Sequence, residues 1–279
     1  MHILFIGYGK TSQRVAKHLF EQGHHISTIS RTEKTDHYAT HHIQDAHHLD
    51  LSEFEPIDVV YVILSPSESG IDAYQHTYVD SVEPIAKALQ HHPVKRIIIV
   101  SSTRVYGENA GELVDDESDI RPIDEQGELL RKMELLWQSC YPQQAVIVRP
   151  TGIYGVSVER LKRLAQRTQN YPTIHFSNRI HINDLARFLA LLATLESPES
   201  SYILSNNRPI AMHEILLWFQ RKLGLTALKL ESEQHTGKRI YATRIAKTGF
   251  EFDHLICFND YEAALFEPYR VCRRLFYLS

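Results

Sequence analysis

An apolar run, Ile3 to Ile6, ends at Gly7-x-Gly9, and the next segment, Ser12 to Gln22, carries a helical apolar pattern closed by Gly23. A strand that turns through two glycines into a helix is the opening of a βαβ unit. In a phosphate-binding version of that turn, the first glycine permits the tight bend and the second lets the backbone approach a pyrophosphate. A third glycine lets the helix pack closely on the strand. Here Ser12 stands at the third place, so the change bears on helix packing more than on phosphate contact. The amides at the helix start remain free for an anion. Taken alone, the pattern describes an ordinary strand-to-helix turn equally well, and the rest of the chain decides between the two.

His25 to Ser30 reads as a second strand, with a weak third near His42 to Asp45. Asp58 to Leu64 (DVVYVIL) is a continuous apolar run suited to a buried parallel strand. Residues 71 to 91 read as one helix, Arg96 to Ser101 as a fifth strand, Asp124 to Ser139 as a helix and Ala145 to Arg149 as a sixth strand. This alternation specifies an α/β fold, a doubly wound parallel sheet with helices on both faces. Ligands in such sheets sit beyond the carboxyl ends of the strands. Gly7, Arg31, Ser65, Ser102 and Pro150 all fall there. Beyond Pro150 a basic helix near 158 to 169 is followed by a short strand and helix in RIHINDLARFLALLATL, a strand in SYILS and a helix from Met212 to Leu223. The expected division is 1–155 for the sheet domain and 156–279 for a small C-terminal α/β lobe, with segments near 176–205 returning to the main sheet.

Thirty basic against 34 acidic side chains give a net charge of −4, which leaves no electrostatic footprint for nucleic acid. The basic cluster Arg160-Leu161-Lys162-Arg163 reads as a solvated helix face. Cys140, Cys257 and Cys272 are odd in number and far apart, so no disulfide framework is expected and the cytoplasm is the expected compartment. No apolar stretch reaches the roughly 18 residues of a membrane span. The 17 histidines include four adjacent pairs, His24-His25, His41-His42, His47-His48 and His91-His92. Neighbours point different ways on a strand or helix, and no HExxH accompanies them, so they read as loop and edge histidines and no metal is expected.

The ordered set GYGKTS, ISR, SSTRVYG, RPTGIYG and RIHINDLA resembles the extended short-chain dehydrogenase/reductase superfamily, specifically its NAD-dependent epimerase/dehydratase branch. The resemblance runs from Ile3 to about Leu265. It implies a Rossmann domain for NAD(P) and a C-terminal substrate lobe, often for nucleotide-sugars. By that resemblance Gly7, Gly9, Lys10, Thr11 and Ser12 lie under the pyrophosphate. Ser65 and Pro66 meet the adenosine-side ribose and diphosphate, and Pro150 and Ile153 line the nicotinamide. Ser102 matches the family's catalytic Ser/Thr, four residues before Tyr106. In RIHINDLA, Asp184 is read as a helix cap with His181 buried near it. A homodimer through helices near 71–91 and 124–139 is the implied assembly.

The chain departs from the family at residues 122–134, PIDEQGELLRKME. Members normally carry Tyr-x-x-x-Lys at the start of this helix, the tyrosine as acid/base and the lysine lowering its pKa. With Glu134 aligned to the acidic residue four places beyond that lysine, the lysine position falls on Leu130 and the tyrosine position on Gln126, both expected to point into the nicotinamide side of the cleft. Candidates for the missing role are Tyr106, Asp124, Glu125 and a water on Ser102. Gln126 can hold a substrate oxygen but cannot cede a proton at neutral pH. The second strand ends Ser30-Arg31-Thr32 with no carboxylate before Glu33, which favours NADP over NAD. Two functions are consistent with this pattern: an NADP-dependent oxidoreductase or epimerase acting on a small molecule, and a non-catalytic NADP-binding sensor or scaffold. The aromatic, arginine-bearing tail FEPYRVCRRLFYLS reads as a packed terminal segment.

Overall fold

The computed structural model describes residues 1–265, so Cys272 and the tail arginines Arg270, Arg273 and Arg274 lie outside the described residues. The strands are β1 (His2–Ile6), β2 (His25–Ser30), β3 (Thr40–Ile43), β4 (Val59–Val62), β5 (Arg96–Val100), β6 (Ala110–Val114) and β7 (Ala145–Pro150), followed by shorter segments and by Ser201–Leu204. The main sheet runs Ser201–Leu204, β7, β5, β4, β1, β2, β3, and every pairing in it is parallel. Strand order reverses between β1 and β4, which places the ligand crevice at their carboxyl ends. β4 and β7 are buried along their whole lengths. Helices cover both faces of the sheet, which is why these strands are continuous apolar runs rather than alternating ones.

The helices are α1 (Lys10–Glu21), α2 (Ile71–Tyr74), α3 (Val82–Leu89), α4 (Glu125–Cys140), α5 (Glu159–Arg167), α6 (Ile182–Thr194) and α7 (Met212–Lys222). α1 packs on α6, and α4 packs on α3. The single helix expected over 71–91 is three pieces, because a π-helical turn, Gln75–Val79, separates α2 from α3. Pro84 has no N–H to donate to the carbonyl of Asp80, and its ring crowds that carbonyl, so the helix restarts at Val82. The π turn closes with Asp80 N donating to Gln75 O at 3.0 Å.

A second sheet pairs Ile210–Ala211, Ile174–Ser177, His235–Ile240 and β6. Its strands β6 and His235–Ile240 have exposed polar positions and were not anticipated from the sequence. A separate apolar cluster joins Tyr154, Phe219 and Tyr261 through α5, α7 and the helical residues 257–265. The cap of α6 also differs from expectation: His181 is the N-cap, its Nδ1 accepting from Asn183 N at 3.3 Å. Asp184 sits in the first turn and fully buried, accepting from Asp253 N and His254 N at 3.1 and 2.9 Å. No described helix is long and apolar enough to cross a membrane.

Candidate functional site

The turn after β1 answers the question posed by its glycines. Gly7 has φ +88°, and a Cβ there would stand 2.3 Å from the carbonyl oxygen of Ile63. Gly9 caps α1 in extended conformation (φ −99°, ψ −166°), with no side chain capping the helix and no acidic residue in its first turn. A Cβ on Gly9 would meet nothing within 4 Å. The space in front of the first-turn amides of Lys10, Thr11 and Ser12 is therefore open to an anion, where the helix dipole favours negative charge. Ser12 is fully buried, and its Oγ donates to Gly7 O at 2.7 Å. The serine thus locks the turn to the helix, as a packing residue, and leaves the amides free.

Two chambers meet at this turn. The first, a cavity of about 290 Å³, is lined by Gly7, Gly9, Ser30, Arg31 and Ser65, together with Asp45, His47 and His76. The second, about 420 Å³, is lined by Gly9 to Ser12, Ser65, Ser102, Pro150 and Ile153, together with Tyr78 and Leu185. Gly9 and the segment Ile63 to Ser65 border both. One cleft thus passes over the anion cradle with a chamber at each end, the layout a dinucleotide diphosphate requires.

Most of the residues singled out in the sequence meet here, but Pro66 lines neither chamber. Arg31 is exposed at the mouth of the first. Ser30 turns its hydroxyl to Thr32 O at 2.6 Å. The loop after Arg31 is pinned by Asp36, whose Oδ1 accepts from Tyr8 Oη at 3.0 Å and from Tyr38 N at 3.2 Å. Burial, and then the Asp36 charge, pushes the Tyr8 phenol up. Asp45 accepts from the backbone N and the ring Nδ1 of His47 at 2.9 and 2.8 Å, and these bonds, backbone first, hold its carboxyl below the usual range. His47 stacks on His76 with ring centroids 4.0 Å apart.

The histidines read as solvated therefore need correcting. His47 builds a wall of the cleft, and His41 is held between Thr28 Oγ1 at 2.7 Å and Asp36 O at 2.9 Å. Asp45 was missed although it follows the third strand, a position whose carboxyl-end placement was legible.

In the second chamber Ser102 is half-buried. Its Oγ accepts from Arg104 N at 3.2 Å, which leaves its proton to donate. Tyr106 is not available to the cleft: it is 1% exposed, and its hydroxyl accepts from Arg149 Nη1 at 3.1 Å. Gln126 also turns elsewhere, its Nε2 bonded to Ser69 O, so that it tethers the loop after β4. Leu130 is buried in the core. Neither of the two lines the chamber, contrary to the sequence expectation. Residues 126, 130 and 134 lie along one stripe of α4, and that stripe is drawn inward because Glu134 pairs with Arg149. Asp124 caps α4 through Gly127 N at 2.8 Å and pairs with Arg104 at 2.9 Å. Glu125 faces a separate surface groove beside Ile71. Outside the cleft, ligand atoms of His181, His254 and Asp260 lie within 4.8 Å of one another. The two imidazoles stack face to face at 3.5 Å, so their in-plane lone pairs do not converge on one ion.

A parallel doubly wound sheet with an uncapped glycine turn and a two-chambered cleft at its switch point defines a Rossmann protein of the dinucleotide-binding type. The sequence pattern of the NAD dependent epimerase/dehydratase family matches residues 7–203, and the chain belongs to that family. Protein YeeZ of Escherichia coli strain K12 is 26% identical over 211 residues, 74% of each chain. A protein of Methylobacillus flagellatus, described as a candidate NAD-dependent epimerase/dehydratase, superposes with a TM-score of 0.80 at 24% identity, over 95% of this chain and 97% of that one. UDP-glucuronic acid 4-epimerase from Bacillus cereus, solved in complex with NAD, gives 0.73 at 17% identity, over 88% and 91%. These two likenesses establish a shared fold.

Proposed function

We propose that the protein binds NADP(H) across the two chambers, with the adenosine end at Arg31 and the nicotinamide end at Ser102, and that it acts as an oxidoreductase or epimerase on a small molecule of the nucleotide-sugar class. The observation that carries this reading is the continuous cleft over Gly9, whose Cβ space is empty and whose neighbouring amides are free. In this reading Gly7, Gly9, Lys10, Thr11 and Ser12 form the diphosphate turn, Ser65 and Pro66 the segment beside it, and Pro150 and Ile153 the wall against the nicotinamide. Ser102 holds a substrate oxygen by donating its hydroxyl proton. The bound dinucleotide supplies or takes up hydride. NADP is preferred to NAD because Arg31, with Ser30 and Thr32 beside it, offers a cationic fork to a 2′-phosphate and no carboxylate ends β2. The structural neighbour carrying NAD is the counterweight to that preference.

A second reading, a non-catalytic NADP-binding sensor or scaffold, is favoured by one specific observation: Gln126 and Leu130 are engaged in structural contacts and no Tyr-x-x-x-Lys pair faces the cleft. A homodimer would use α4 and the segments from α2 to α3, whose Ile71 and Leu135 are exposed.

The deciding experiment combines NADPH binding, by fluorescence, with a turnover panel of nucleoside-diphosphate sugars and simple ketones. Tight binding with NADPH oxidation or sugar epimerisation supports the enzyme. Tight binding with no turnover supports the sensor, and no dinucleotide binding overturns both.

A further inference from the structure

We propose that Tyr78 is the proton-donating hydroxyl of the second chamber, taking the place of the tyrosine that α4 lacks. The inference rests on the reading of that chamber as the nicotinamide and substrate end. Among its described lining side chains only two are titratable, Lys10 and Tyr78. The three side chains suggested as replacements by sequence are engaged elsewhere: Tyr106 under Arg149, Asp124 on Arg104 and the α4 amides, Glu125 outside the cleft.

Tyr78 differs from four other packed tyrosines of the chain. Tyr8, Tyr61, Tyr141 and Tyr154 each give their hydroxyl proton to a carboxylate or carbonyl of the fold. Tyr78 lines the second chamber, gives its proton to no described residue, and its oxygen is not among the sealed, unpartnered atoms. Its ring is fixed edge-on against Tyr74, with centroids 5.3 Å apart.

The local backbone explains how it comes to face inward. Tyr78 lies in the π turn Gln75–Val79. The extra residue of a π turn rotates the downstream side chains by about a quarter turn relative to a continuous helix, and such turns recur at functional sites.

The step assigned to this chain is a proton transfer. As a substrate carbonyl carbon accepts hydride from the reduced dinucleotide, which is thereby oxidised, the C=O π pair moves onto oxygen. The O–H bond of Tyr78 breaks and its proton forms the O–H of the product alcohol. Ser102 steadies the same oxygen by hydrogen bond, and water entering the open chamber returns a proton to the phenolate. Burial, and then the neighbouring Tyr74, pushes the Tyr78 phenol up to about 12, so the protonated donor is the form present through neutral pH. No lysine partner lowers it as in the usual pair, so this mechanism is the slower one in the dehydrogenation direction.

The test compares wild type with Tyr78→Phe, which keeps the ring against Tyr74, and uses two readouts. The first is spectroscopic. Tyrosinate absorbance is titrated with and without NADP⁺ and NADPH, and the component missing from Tyr78→Phe is that of Tyr78. NADP⁺, which places a cationic ring in the chamber, is expected to shift that ionisation to lower pH, whereas NADPH is not. The second is turnover. With any substrate the panel identifies, Tyr78→Phe is expected to lose about 10²- to 10⁴-fold in kcat while NADPH affinity and Tm stay at wild-type values. NADP⁺ that binds tightly without moving the Tyr78 ionisation overturns this proposal and leaves the dinucleotide reading standing. Unchanged turnover in Tyr78→Phe does the same. Failure of either dinucleotide to bind overturns the underlying reading, and this one with it.

Discussion

Glu134 receives both arms of Arg149: Nε donates to Oε1 and Nη2 to Oε2, each at 2.9 Å, with the two side chains 0% and 4% exposed. Ser101 Oγ donates to Oε1 at 2.7 Å, and Arg131 reaches Oε2 at 3.4 Å. This knot ties α4 to β7 and to the end of β5, one residue before Ser102. Breaking a buried pair leaves a charge without a partner, whereas replacing both members with apolar groups is often neutral. Glu134→Leu is therefore expected to cost about 3–5 kcal/mol in urea unfolding, and adding Arg149→Met to recover most of it. A single variant within about 1 kcal/mol of wild type would show that the pair is not what holds these elements together.

The two glycines of the first turn should separate folding from binding. Gly7 requires its left-handed backbone and has no room for a Cβ, so Gly7→Ala is expected to lower Tm. Gly9 is already in an ordinary conformation with open space in front of it. Gly9→Asp should keep or slightly raise Tm, since a carboxylate at an N-cap changes stability by only a few tenths of a kcal/mol relative to glycine. The same carboxylate repels a diphosphate, so NADPH affinity should fall by at least about tenfold, which corresponds to about 1.4 kcal/mol. Calorimetry and thermal melts on the two variants check both halves. A Gly9→Asp protein that binds NADPH normally would remove the cradle from the cofactor site.

The main sheet was legible because buried parallel strands announce themselves as uninterrupted apolar runs such as VVYV in β4 and RIIIV in β5. β6 (AGELV) and His235–Ile240 (HTGKRI) were not, since each exposes part of its length and carries a glycine at positive φ. The glycine turn, Arg31, Ser65, Ser102 and Pro150 could be placed on the cleft because they lie at or just past strand ends, while Ile153 came only with the family resemblance. The direction of a helical side chain was harder to read. Which stripe of α4 faces inward depends on Glu134 meeting Arg149 from another element, and the aim of Tyr78 depends on a π turn. A motif places Tyr106 near the site, but only packing shows that its hydroxyl is spent on Arg149.

Acidification should destabilise the fold before the carboxylates titrate. Burial is the first cause that lowers His2, His18, His24, His42, His92, His175 and His181 from the ordinary value of 6.5. A histidine depressed in the folded state binds fewer protons there than in the unfolded chain, so stability rises with pH across that window. The contribution is fully present above about 6.5 and is lost as pH falls toward the lowered folded values. Asp58, lowered chiefly by its bond from Lys95, acts in a separate window and loses its contribution only as pH falls below 3.8. Melting temperatures are therefore expected to drop from about pH 7.5 to about 5.5. His2 is the clearest single contributor, with its ring bonded to Ser27 Oγ at 2.9 Å and Glu55 O at 3.0 Å. His2→Gln should flatten the slope, and a Tm that holds constant or rises on acidification contradicts the assignment.

In the proposed reading, cofactor choice turns on Arg31. Its guanidinium is exposed at the first chamber, on a loop held in place by Asp36 and Tyr8. A charge-assisted hydrogen bond to a phosphate is worth about 1.5–3 kcal/mol, and solvent at an exposed site screens part of that. Arg31→Ala is accordingly expected to weaken NADPH about tenfold, or about 1.4 kcal/mol, while leaving NADH nearly unchanged. Raising the salt concentration should erode the wild-type preference in the same direction. Asp45 lines the same chamber and its charge opposes a 2′-phosphate, so Asp45→Asn is expected to tighten NADPH relative to NADH. Titration calorimetry with both dinucleotides measures the ratio directly. NADH binding the wild type as tightly as NADPH, with the ratio indifferent to Arg31→Ala, would make this an NAD protein whose arginine serves only the surface.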